Sequence, residues 1–129
     1  MKLRNGLLIV LGVLVLIVGF RALFEKPDGK FRTVPDRLQG AYVTANPEYS
    51  DRYLEIGSEF ITFGTGGVNS RRYEVTGFDE TRDAEGRELD TVYFRDVSGS
   101  KFNRDFYFTL ENGKQLVFKN QPQVVWVGE

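Results

Sequence analysis

Two chemically useful residue types, cysteine and histidine, are missing from this 129-residue sequence. Without Cys there is no disulfide, no thiolate nucleophile, no thiolate-held zinc or iron–sulfur cluster, and no lipid-modified N-terminal cysteine. Without His the usual general base, the usual zinc ligand and the commonest charge switch near neutral pH are gone. Carboxylates could still hold a hard cation. The alternating Asp and Asn around a central Gly with a closing Glu that mark an EF-hand do not occur, however. No metal, cofactor or catalytic residue is expected, and the chain reads as a non-enzyme. A glycosidase-type carboxylate pair leaves no signature in sequence, so the many Asp and Glu do not by themselves alter that reading. Absence of Cys suits either side of a membrane and does not fix the compartment.

A large excess of one charge sign is lacking as well. After residue 26 there are 13 Lys and Arg against 17 Asp and Glu, whereas residues 1–26 carry a net charge of +3. A mildly acidic domain with scattered cations lacks the concentrated basic face that exchanges for counterions, so no nucleic-acid partner is expected.

What the sequence does have is one long apolar run. Residues 6–20 read GLLIVLGVLVLIVGF, followed by Arg21 and then Ala22, Leu23 and Phe24. As a helix, residues 7–24 would span about 27 Å, close to a hydrocarbon core, with Arg21 reaching the headgroups. Lys2 and Arg4 also give the basic start of a signal peptide. Cleavage after Ala22 would place bulky Phe20 where a small residue is required, so residues 1–24 read as an uncleaved signal-anchor. Cations flank the run on both sides (Lys2 and Arg4 before it; Arg21, Lys26, Lys30 and Arg32 after it), and their count favours neither orientation. The short basic tail is the form of a signal-anchor whose N-terminus stays in the cytoplasm. A single-pass protein of the cell membrane is therefore expected, with its C-terminal domain outside the cytoplasm, periplasmic or extracellular.

Residues 25–37 (EKPDGKFRTVPDR) hold two prolines, a glycine and many charges, and read as an extended linker. From 38 to 129 no helical period lasts three turns. Short apolar runs alternate with turn signals, predicting strands over 38–43, 52–56, 60–63, 72–78, 89–96, 102–110, 115–119 and 124–127. Gly57-Ser58 suggests a type II′ turn and Asn112-Gly113 a type I′ turn, while Ser98-Gly99 and the charged run 80–88 mark looser connections. Gly77 lies where the apolar phase changes, as at a bulge. An all-β domain follows, a meander of about 7–8 antiparallel strands in a small barrel or tight sandwich.

Two places could bind a ligand. The glycine-rich stretch Gly64, Gly66 and Gly67, with Arg71 and Arg72 close behind, could cradle an anion on its backbone amides. It lacks the Gly-Lys-Ser/Thr step into a helix that a phosphate loop needs, and the ordinary alternative is a hairpin requiring positive φ. Adjacent strand residues face opposite ways, and Tyr73 is in phase with Val75. Arg71 is therefore the better candidate and Arg72 points outward. Phe102, Phe106, Phe108 and Leu110 share a strand face with Arg104, which could meet a ligand carboxylate at the mouth of an apolar cavity. The alternative is large side chains filling a small barrel. Two functions remain in play: a non-catalytic interaction module meeting an envelope protein or a surface polymer, or a binder of small apolar or lipid-like ligands. A cavity would separate them.

Overall fold

The computed structural model describes residues 26–129. The anchor expected over residues 7–24 lies outside the described residues. Among those described, no helix is long and apolar enough to cross a membrane.

Eight antiparallel strands close into a barrel: β1 (Gly40–Thr44), β2 (Tyr53–Ile56), β3 (Phe60–Gly66), β4 (Asn69–Arg82), β5 (Glu88–Arg95), β6 (Lys101–Thr109), β7 (Gln115–Phe118) and β8 (Trp126–Gly128). Each strand pairs with its neighbour in sequence. Closure comes from β1 pairing with β8 through Tyr42↔Gly128, Val43↔Val127 and Thr44↔Trp126. No strand of the barrel is therefore left with an unpaired edge, and the barrel alternative is settled over the sandwich. The short apolar runs form strands because alternation sends every second side chain inward. Around Leu54 and Ile56 on β2, Tyr53 and Glu55 are more exposed; around Trp126 on β8, Val125 and Val127 are exposed.

One end is plugged. A 3₁₀ turn at Asp36–Leu38 carries Leu38, which is fully buried, and Val34 just before it lies in the same core. The Tyr42 hydroxyl donates to the Leu38 carbonyl at 2.6 Å, and desolvation pushes this phenol up to about 12. The barrel axis is filled by Tyr42, Leu54, Ile61, Phe78, Phe106 and Leu116. The β2–β3, β4–β5 and β6–β7 connections share the plugged end; the β1–β2, β3–β4, β5–β6 and β7–β8 connections frame the open end.

Residues 26–34, expected within an extended linker, lie docked on the barrel wall. Asp28 N–H donates to the Thr76 carbonyl at 3.1 Å, and Phe31 exchanges backbone hydrogen bonds with Phe78 at 2.9 and 2.8 Å. They cross β4 where the ladder with β5 shifts register between Val75 and Gly77, the expected bulge. Gly77 has no room for a side chain, since a Cβ would sit 1.5 Å from the Asp28 carbonyl oxygen.

Three local expectations are corrected. The stretch 80–88 is not all loop, because Glu80–Arg82 and Glu88 extend β4 and β5, leaving residues 83–87 as the turn. At 112–113 only Gly113 has positive φ (+84°), whereas a type I′ turn needs it at both central residues. The connection is instead five residues long, and the Lys114 carbonyl accepts from Gly128 N–H. Gly57 also lacks the positive φ of a type II′ turn. The neighbouring Ser58 and Glu59 carbonyls accept from Val34 and Val75, which sets the shape of that loop.

Candidate functional site

At the open end the interior is not filled to the rim. A recess of about 310 Å³ is lined by Tyr49, Arg52 and Tyr53 from around the β1–β2 connection, Phe63, Gly64 and Thr65 on β3, and Arg104 on β6. Phe118, Asn120, Gln121 and Trp126 complete it. Strand phase explains the aromatic walls. Phe63 pairs with Arg71 beside the inward Ile61↔Tyr73 pair, and Arg104 lies opposite buried Val92, two residues before Phe106. Beside it, Phe63, Tyr73, Phe94 and the partly exposed Phe102 form a ring cluster with centroids 5.1–5.8 Å apart. The Arg104 guanidinium lies 6.0 Å from the Phe94 ring centroid, within cation–π range.

Four features set the chemistry of this recess. Gly64 lets the Tyr53 ring lie against the backbone, since a Cβ there would be 2.3 Å from the ring. Gln121 Nε2 donates to the Tyr49 hydroxyl at 3.1 Å, tying the β1–β2 and β7–β8 connections together across the rim. Arg52 stacks on Tyr49 at 5.0 Å, and Arg104 donates to the adjacent Asn103 carbonyl at 2.8 Å. Neither is paired with a carboxylate among the described residues. Trp126 is 6 % exposed, and its indole N–H is shut off from solvent with no acceptor among the described residues. An unmade hydrogen bond on a buried donor costs about 1–3 kcal/mol.

The expected site residues divide between two places. Gly64 and Arg104 meet in the recess, whereas Gly66 and Gly67 form the β3–β4 hairpin tip with φ of +118° and +60°. Arg71 lies on β4 in phase with Tyr73 but does not line the recess. Arg72 points outward, its guanidinium 4.0 Å from the Phe60 ring. Sequence reading missed Arg52, Tyr53, Phe118, Gln121 and Trp126. The one signal for Trp126 was its place between two valines in a short alternating run.

A second cluster sits at the plugged end. Arg37, in the 3₁₀ turn, bonds Glu80 at 2.7 Å, Glu88 at 3.2 Å and Asp90 at 3.4 Å. Asp90 is 1 % exposed, and its Oδ1 has no partner among the described residues. Burial pushes its carboxyl up to about 6 and the nearby Glu88 and Glu80 charges add to this, while Arg37 opposes it. Glu80, Glu88 and Asp90 each offer an oxygen within 4.8 Å of the others, spacing that suits a cation. The Arg37 guanidinium already bonds all three, so the cluster reads as an internal ion network that seats the plug.

In comparisons with known proteins, no family model, no curated protein and no solved structure matches this chain.

Proposed function

We propose that this chain is a non-catalytic binding module of the cell envelope, anchored through residues 7–24 with its barrel outside the cytoplasm. It would engage an envelope protein or a surface polymer through the open end of the barrel. The observation that carries the reading is the recess itself, where aromatic walls meet Arg52 and Arg104, neither bonded to a carboxylate among the described residues. The perturbed carboxyl of Asp90 lies at the other end, buried beneath Arg37, a poor position for acid–base work on a substrate. The second reading, a small apolar or lipid-like ligand, is favoured at the mouth rather than along the axis, because core side chains occupy the axis.

A photo-reactive residue replacing Thr65 at the recess rim, or Glu55 on the outer wall, tests this in intact cells. Adducts are expected from position 65 and not from 55. Adducts from 55 alone, or equally from both, refute the open-end reading. A C-terminal reporter active only in the cytoplasm would refute the orientation, and a mature chain starting near Leu23 would refute the anchor.

A further inference from the structure

We infer that the recess takes an amphipathic monoanion, its single anionic head held by Arg52 and Arg104 and its short apolar part lying against Phe63, Phe118 and Trp126. The inference rests on the open end being the binding surface and goes on to name the ligand chemistry. Three other arginines of the barrel have carboxylate partners, Arg37 with Glu80, Glu88 and Asp90, Arg87 with Asp83 and Glu85, and Arg95 with Glu74. Arg72 lies over the Phe60 ring and Arg82 donates to the Gly86 carbonyl, both outside the recess. What sets the recess apart is that two arginines without a carboxylate partner among the described residues line one aromatic-walled hollow. Their remaining guanidinium donors match a carboxylate or similar oxyanion in a planar, two-point fashion.

The rest of the wall argues against a wholly polar ligand. Phe63, Phe118 and Trp126 line it with aromatic rings. A volume of about 310 Å³ is at the small end for an organic ligand, enough for a head and a short chain or ring. The Gln121–Tyr49 bond holds both framing connections in place, so little ordering is needed on binding. Two sources supply such a molecule: a free short-chain acid, or an anionic lipid reached in the membrane plane.

Trp126 is the sole tryptophan of the chain, so its emission reports directly on the recess. The full chain in phosphatidylcholine nanodiscs is titrated with octanoate and, separately, with octanol. Octanoate is expected to give a saturable change with a midpoint at least about tenfold below that of octanol, the scale of a charge-assisted hydrogen bond. Arg52→Gln and Arg104→Gln should each raise the octanoate midpoint about tenfold at unchanged melting temperature. Arg72→Gln, on the outer wall, should leave it unchanged. Equal midpoints for octanoate and octanol, or unaltered octanoate binding in both recess variants, overturn the inference.

Discs containing phosphatidylglycerol separate the sources. A change in emission from the lipid alone, with octanoate then excluded, assigns the membrane lipid; unaltered octanoate titration assigns a soluble acid. If octanoate fails while the photo-reactive residue at 65 still traps a protein, the ligand chemistry falls and the open-end reading stands.

Discussion

Replacing Asp90 by Asn removes one charge from the plugged end while keeping the side chain's size, and the structure fixes how the effect must depend on pH. The Asp90 carboxyl rises from its ordinary 3.8 to about 6, first because burial disfavours the charged form, then because Glu88 and Glu80 repel it, with Arg37 opposing. The folded state therefore holds this proton more tightly than the unfolded chain does. Below about pH 3.8 both states are protonated and the contribution of Asp90 is fully present; as pH rises through about 6 it is lost. At about 1.4 kcal/mol per unit, the wild-type domain should lose about 3 kcal/mol at this position between pH 3.5 and 7.5. The Asn variant does not titrate there. Its stability relative to wild type should accordingly improve by about 2–3 kcal/mol over that range, whatever the offset from changed hydrogen bonding to Arg37. Urea unfolding of the 26–129 fragment, followed by Trp126 emission at five or six pH values, measures this. A difference between the two proteins that stays flat with pH would show that Asp90 is not desolvated as described.

Gly77→Ala should detach residues 26–34 from the wall, because its Cβ would meet the Asp28 carbonyl oxygen. The expected cost is about 1–3 kcal/mol, with new protease cleavage in that stretch. Gly113→Ala has open space around it and should cost only the backbone term of a positive φ, about 1 kcal/mol, with no new cleavage. Reversed costs would refute the close-approach argument. A fragment starting at Gln39 loses Val34 and Leu38, each buried side chain worth about 1.5–3 kcal/mol, and Arg37 as well. It should unfold non-cooperatively and bind a hydrophobic dye, whereas the 26–129 fragment should give one cooperative transition. Equal stability of the two would show that the 3₁₀ turn is not a plug.

Alternation of apolar and polar residues is a local property of a strand, so all eight strands, the bulge at Gly77 and the inward phase of Tyr73 could be read from the sequence. Gly64 and Arg104 could each be named as candidates, at two separate places, but not their meeting in one recess. The apolar run at residues 6–20 likewise needs only its own composition to suggest an anchor. Closure was different. Whether a meander rolls up or stacks depends on β1 meeting β8 more than eighty residues away, a contact that no local pattern encodes. The same holds for the docking of residues 26–34, whose proline, glycine and charges look like a linker until the glycine gap at position 77 is seen to admit the Asp28 backbone. Arg37 and Asp90 are ordinary charged residues in sequence, and only folding places one over the other and shuts out water. Trp126 could be counted in the sequence, but its unpartnered N–H is decided by what the closed barrel leaves beside it. Local patterning determined which residues face inward; burial, closure and long-range contact decided which of them are left with chemistry to satisfy.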